Sequence, residues 1–268
     1  MSSRLVIAGI AIQGLLATAP MQAQEAVDGF VARSFSAPPE IRMPYRLFVP
    51  DAKARERPLP LIVYLHGAGG AGLDNLKQIS RMNVPGTRLW TSREMQARHP
   101  AFVVAPQMPG DEDWGAPRSD ELTLYASLAV QLIDALKKEF AIDADRIYLM
   151  GQSRGGRGTW DLISKRPDLF AAAVPVCGNG NAKRVIAARD VPVWAFHGAK
   201  DDSVPVAGSR EPVAALRAIG SPVRYTEYPD AGHDIATLAF SEKALPEWLF
   251  AQKRAHRTQS PSTASKRH

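Results

Sequence analysis

The sequence predicts an α/β fold, a mostly parallel sheet with helices on both faces, and three observations carry that prediction. Short apolar runs alternate with segments of helical spacing along most of the chain, the pattern of strands joined by crossover helices. Most runs are apolar at every position, as strands buried on both faces are. Glycine- and proline-dense stretches follow several of them, where an open parallel sheet carries its ligand-binding loops. In order, Tyr45–Val49 reads as an early, half-buried strand, and Leu61–His66, Ala101–Pro106, Arg146–Met150, Ala171–Cys177 and Val191–His197 as buried strands. Val223–Tyr228 alternates, as a strand near the sheet edge does. Leu122–Phe140, Arg154–Arg166, Pro212–Ile219 and Ala244–Gln252 have helical spacing, the second stopped by Pro167 and the third by Gly220. Gly67–Gly72 and Pro109–Pro117 are the loops expected on the functional rim.

The 268 residues are 45% hydrophobic and 22% charged, enough for one substantial core, so a single domain is expected over residues 24–252. Met1–Ala23 differs in kind. Arg4 precedes the apolar run Leu5–Leu16, and small residues follow to Ala23, the layout of a cleaved export signal. The run is shorter than the ~20 residues of a membrane-spanning helix, so the expectation is a secreted or periplasmic protein with no stable membrane span after cleavage. The formal charge of +6 resolves into Arg4 and five cations of the C-terminal stretch, Lys253, Arg254, Arg257, Lys266 and Arg267. Residues 24–252 therefore sum to zero, which argues against a basic face and a nucleic-acid partner. Residues 253–268, polar and without an acid, are expected to form a disordered basic tail. Cys177, the single cysteine, forbids an intrachain disulfide. It ends an apolar run in the manner of a small core residue, whereas a nucleophilic role would need a nearby base.

Gly151-Gln152-Ser153-Arg154-Gly155 matches G-x-S-x-G between a predicted strand and a predicted helix, the setting of the nucleophile elbow in the α/β-hydrolase fold. The turn demands unusual backbone angles at Ser153, and the two glycines remove side chains that would collide with strand and helix. A serine hydroxyl is a poor nucleophile at neutral pH and needs a base held by a third group. In the chain order of this fold, serine, acid, histidine, the acid is Asp201 or Asp202 after the Val191–His197 strand, and the base is His233 after the Val223–Tyr228 strand.

An ester oxyanion also needs backbone N–H donors already aimed at it. Arg154 supplies one. The other comes from the loop after Leu61–His66, with Ala68 favoured and Gly67 its neighbour in contention. His66 and His197, each ending an apolar strand before glycine, read as loop braces, and His99 as exposed. No His/Asp/Glu cluster has zinc-like spacing and Gly67–Gly72 lacks the Lys-Ser/Thr of a phosphate loop, so no metal or organic cofactor is expected.

Several further segments carry a family resemblance: Tyr45-Arg46-Leu47, Leu65-His66-Gly67-Ala68-Gly69, Asp74-Asn75, Ala105-Pro106-Gln107, Trp114, Asp143-Ala144-Asp145-Arg146-Ile147-Tyr148, Thr159-Trp160-Asp161 and Pro175-Val176-Cys177-Gly178. From about Met43 to Gln252 the chain resembles polyhydroxybutyrate-depolymerase/feruloyl-esterase-like carboxylesterases, the dienelactone-hydrolase-related group often labelled "predicted peptidase". The resemblance implies an acid three residues after the His-Gly pair, which selects Asp201 over Asp202. It implies rim positions for Gln107, bracing the oxyanion loop, and for Trp114, as an aromatic wall or a structural residue. It implies cleavage of carboxylic esters, small or oligomeric, through a Ser-His-Asp acyl-enzyme mechanism. A serine peptidase or amidase on the same triad and a non-catalytic binding protein on the same scaffold are the alternatives. The chain departs from the family at Arg154 and Arg157, usually apolar and aromatic, and at Ala236, usually Trp. Arg157 would then make the substrate pocket cationic, unless both guanidiniums are solvated outside it.

Overall fold

The computed structural model describes residues 26–37 and 41–254. The signal-like segment Met1–Ala23 and tail residues 255–268 lie outside them. In chain order the elements are β1 (Phe30–Ala37), β2 (Ile41–Phe48), β3 (Leu59–Leu65), α1 (Val84–Thr91), α2 (Arg93–Arg98), β4 (Phe102–Pro106), α3 (Leu124–Glu139), β5 (Ile142–Gln152), α4 (Arg154–Lys165), β6 (Ala172–Val176), β7 (Val193–Gly198), α5 (Ala207–Ala218), β8 (Val223–Tyr228), α6 (Ala236–Phe240) and α7 (Leu245–Phe250).

The strands form one eight-stranded sheet in the order β1-β2-β4-β3-β5-β6-β7-β8. β2 pairs antiparallel with β1 and with β4; every other pairing is parallel. Side-chain alternation divides the core into two layers. Leu61, Val63 and Leu65 of β3 join Leu149 of β5 under α3, α4 and α5, while Ile62 and Tyr64 join Tyr148 and Met150 under α1, α6 and α7. All are buried, which explains why these strands read as continuous apolar runs. Parallel connectivity brings the loops after β3, β4, β5, β6, β7 and β8 to one end of the sheet.

The helices α1, α2 and α6 were not foreseen, because five to eight residues are too few for a periodicity to declare itself. Nor was β1, an edge strand with a broken burial pattern. α5 begins at Ala207, ahead of the expected Pro212. Proline cannot donate to the Gly208 carbonyl, and the Gly180 N–H takes that acceptor instead at 2.9 Å, so the helix runs through. His99 is not free at the surface; it stacks on Phe250 and bonds Glu247 at 3.0 Å. The expected tail boundary also shifts, since Arg254 donates to the Asp145 carboxylate at 2.8 Å and to the Asp168 carbonyl, and its N–H meets the Asp145 carbonyl.

One buried ion pair fixes α4 against the loop after β4. Asp161 and Lys165, with side chains 2% and 8% exposed, meet at 2.7 Å. Asp161 also accepts the Ala116 N–H, and Lys165 donates to the carbonyls of Ala116 and Glu121. Removing one partner strands a buried charge. Lys165→Met is therefore expected to lower unfolding free energy by about 3–5 kcal/mol in urea titration.

Candidate active site

The sharpest turn in the chain lies between β5 and α4. Ser153 stands there at φ 55°, ψ −116°, a conformation that costs a residue with a Cβ about 1–3 kcal/mol. Packing imposes it. A Cβ on Gly155 would lie 1.9 Å from the Leu65 carbonyl oxygen at the end of β3, and one on Gly151 would lie 2.6 Å from the same oxygen. Strand and helix can approach so closely only as glycines. The Ser153 N–H donates to the Val176 carbonyl at 2.9 Å, so the turn is held from β6 as well.

Loops after β7 and β8 complete a line of hydrogen bonds. Ser153 Oγ lies 2.9 Å from His233 Nε2, and His233 Nδ1 lies 2.7 Å from Asp201 Oδ2. Burial raises the proton affinity of Asp201, but the Val204 N–H, the His233 bond and charge, and the Ser203 N–H outweigh it, and the carboxyl is held below its ordinary range. An ionised carboxylate only accepts, which places a proton on His233 Nδ1 and leaves Nε2 to receive the serine's. Asp202 is exposed and among the described residues meets the Ser203 hydroxyl alone, whereas Asp201 is the carboxylate that lies against His233.

Two N–H groups lie near Ser153, in the chain or the cleft. The loop after β3 presents Ala68, exposed at the rim, and α4 begins with Arg154; neither N–H has an acceptor among the described residues. The Gly67 N–H is already donated to Asn83 Oδ1 at 3.2 Å, which takes the neighbouring candidate out of contention and keeps Ala68 in it. A helix N-terminus adds positive dipole character at Arg154.

Three residues expected to line the substrate do not, which corrects those placements; the loop-bracing reading of Gln107, the structural reading of Trp114 and the placement of Arg157 outside the pocket are the ones the geometry matches. Gln107 is fully buried: its Nε2 donates to the Gly70 carbonyl and Asp74, and its Oε1 accepts the Asn75 N–H, so it braces the loop from beneath. Trp114 is no aromatic wall. Its indole is fully buried, donates to the His66 carbonyl at 3.1 Å, and packs edge-on to His66 and against the glycine surface of Gly158. Arg157 pairs with Asp113 at 2.6 Å and Asn179 at 3.0 Å, outside the cleft. The Arg154 guanidinium likewise turns to the carbonyls of Gly110 and Glu112.

The cleft over Ser153 encloses about 220 Å³ between Gly67, Ala68, Gly69, Arg81, Met82, Asn83, Gln152, Ser153 and His233. Arg81, Met82 and Asn83 escaped sequence reasoning because they follow Gly67 at a distance through irregular turns; the only local signal, a non-glycine residue at φ 52° (Arg81), exists in three dimensions alone. Asn83 Oδ1 gathers the Gly67 N–H, the Tyr64 hydroxyl and Gln152 Nε2. A slightly larger cavity, about 260 Å³ beside Arg57, His99 and Arg146, lies at the amino ends of β3 and β4, away from the serine.

His66 braces the loop, as its neighbours suggested. Burial, with the Arg154 charge nearby and despite the Gly67 carbonyl and Asp74, lowers it to about 4, so Nδ1 donates to Gly67 and neutral Nε2 accepts the Met108 N–H. Cys177 lies beneath the triad, within 4.8 Å of the ligand atoms of Asp201 and His233. Burial pushes its thiol up to about 12, and both nitrogens of His233 are already engaged, so the donor set suits a triad better than a metal.

Residues 118–254, which carry the elbow, the acid and the histidine, match the Dienelactone hydrolase family. The chain belongs to that family. Like other members it has the α/β-hydrolase fold, and it superposes on a thermostable esterase with a TM-score of 0.80, 38% identity and coverage of 85% of this chain and 64% of the other. An uncharacterised secreted protein of Arthroderma benhamiae is 28% identical over 68% of this chain and 22% of its own length. A bifunctional acetylxylan esterase/xylanase of Neocallimastix patriciarum is 40% identical over 27% of this chain and 11% of its own. The chain thus spans only a minor part of these two relatives. Among the described residues no helix is long and apolar enough to cross a membrane.

The elbow packing can be tested without substrate. Gly155→Ala is expected to cost about 4 kcal/mol or more in thermal and urea unfolding, the range reserved for steric strain at a special backbone position. Gly69→Ala, where a Cβ meets nothing within 4 Å, should stay within about 1 kcal/mol of wild type.

Proposed function

We propose that the protein is an exported serine esterase that cleaves carboxylic esters through a Ser153 acyl-enzyme. The unbroken line of hydrogen bonds from Ser153 through His233 to Asp201 carries this reading. Ser153 Oγ attacks the ester carbonyl as His233 Nε2 takes its proton, and the carbonyl oxygen, now negative, moves between the Ala68 and Arg154 N–H groups. His233 returns the proton to the departing alcohol. Water, deprotonated by the same imidazole, then releases the acid and restores Ser153. Asp201 holds the imidazole tautomer and stabilises its cation without itself taking a proton.

A cleft of about 220 Å³ suits a short acyl group. Acetyl esters, on which the bifunctional relative acts by name, are the class we favour. Export is supported by the residue pattern of Met1–Ala23 and by the secreted relative.

Purified protein is expected to hydrolyse p-nitrophenyl acetate and to be labelled once per chain by a fluorophosphonate, with Ser153→Ala folded, unlabelled and slower on the order of 10⁶-fold. Turnover retained by Ser153→Ala would overturn the mechanism. Asp201→Asn should lower kcat on the order of 10⁴-fold by inverting the His233 tautomer. Asp202→Asn should change it little, and steady-state kinetics of the two variants separate them.

A further inference from the structure

Asp201 serves two histidines. Its Oδ1 accepts the Ser203 and Val204 N–H groups at 3.0 and 2.8 Å, and its Oδ2 accepts His233 Nδ1 at 2.7 Å. The same Oδ2 meets His197 Nε2 at 3.1 Å. His197, at the end of β7, is fully buried. Its Nε2 faces two acceptors, Asp201 Oδ2 and the Val204 carbonyl at 3.0 Å, so that nitrogen must carry a proton. Its Nδ1 lies 2.7 Å from Ser209 Oγ on α5, which also reaches the Gly178 carbonyl beyond β6. A chain of side chains therefore runs from the nucleophile to α5.

We infer that His197 is a positioning residue for the reaction proposed above: its Nε2–H anchors Asp201 Oδ2 and draws charge from it, setting both the aim of the carboxylate and its pull on His233. The inference rests on the triad reading. A carboxylate with only one side-chain donor can rotate away from His233, and its undiluted charge holds a proton on that imidazole more tightly. The other groups facing this line are fixed. Glu227 of β8 stands opposite His197 but is engaged by Arg210 and Tyr225, burial keeps the Cys177 thiol at the end of β6 protonated, and exposed Asp234 follows His233.

His197→Leu removes the donor and His197→Gln keeps an N–H near the position of Nε2. Fluorophosphonate titration of both variants counts active sites, so misfolded protein is excluded from each rate. Per active site, His197→Leu is expected to lose about 10- to 100-fold in kcat with little change in KM, the range seen when outer partners that orient metal-binding side chains are removed. The acid limb of its kcat/KM profile should move up by about half to one pH unit. His197→Gln should recover most of kcat and return the limb toward wild type. Ser209→Ala, which leaves the Nε2 bond in place, should shift the profile less than His197→Leu. If His197→Leu accumulates too little folded protein to titrate, the comparison of His197→Gln with Ser209→Ala decides: both limbs close to wild type support the inference, and a Gln limb shifted by a full unit overturns it. A wild-type kcat and an unmoved limb per titrated site in His197→Leu also overturn it, leaving His197 a packing residue. Wild-type protein that takes no fluorophosphonate while hydrolysing esters would instead remove the triad reading beneath it.

Discussion

The approach of two backbones at the end of the central strand governs the site. The Leu65 carbonyl, the last of β3, lies where any side chain on Gly151 or Gly155 would be. Because β5 and α4 are pressed against it, the turn between them has one way to run, and Ser153 is forced to positive φ with its hydroxyl clear of the sheet. The residue after Leu65 begins the loop that offers the Ala68 N–H, and a Cβ on Gly67 would stand 3.4 Å from that of Ser153. One contact therefore positions both Ser153 and the start of the loop that carries Ala68, the proposed nucleophile and oxyanion donor. Backbone strain of about 1–3 kcal/mol at Ser153 is stored within a sheet that over-determines it.

Charge is handled by the loops rather than the cleft. Arg154 and Arg157 would burden the N-terminal end of α4 with two cations, yet the segment after β4 supplies Asp113 and two carbonyls that absorb them. The charged side chain that does line the cleft is Arg81, from a different loop. A cationic pocket was the expectation raised by Arg157; the structure moves that charge to the opposite wall.

What could be read in advance divides along physical lines. All the buried strands were legible because burial on both faces writes itself as uninterrupted apolar runs, and the elbow because close approach admits only glycine on either side of a serine. Asp201 and His233 lie three and five residues after the ends of β7 and β8, so their spacing is constrained by the chain. The rim placement of Trp114 and Gln107 fails for a different reason, although the brace and the structural reading are met: an indole or amide beside a rim can point inward, and nothing local records that the His66 carbonyl or the Gly70 carbonyl awaits it. His197 reads as a brace from its place at a strand end, but that the brace grips the same oxygen as His233 depends on how a turn from Gly198 to Val204 folds back.

The two halves of the site are therefore secured in different ways, and this bears on how such a scaffold changes substrate. Ser153 and Arg154 sit between Gly151 and Gly155, whose backbone contacts tolerate no side chain, so substitution of either glycine is felt in folding. The far wall, Arg81 and Met82, is carried on irregular turns and tied to the machinery through Asn83, whose side chain bonds Gly67 and Gln152 while its own amide reaches the Lys77 carbonyl. Both residues before Asn83 are exposed, and only the backbone carbonyl of Met82, which accepts Gln152 Nε2 at 2.9 Å, joins the hydrogen bonds of that anchor. Replacing them alters the size and charge of the cleft while Asn83 keeps the oxyanion loop where β3 delivers it. Specificity can then vary on one wall with the reacting atoms left in register on the other.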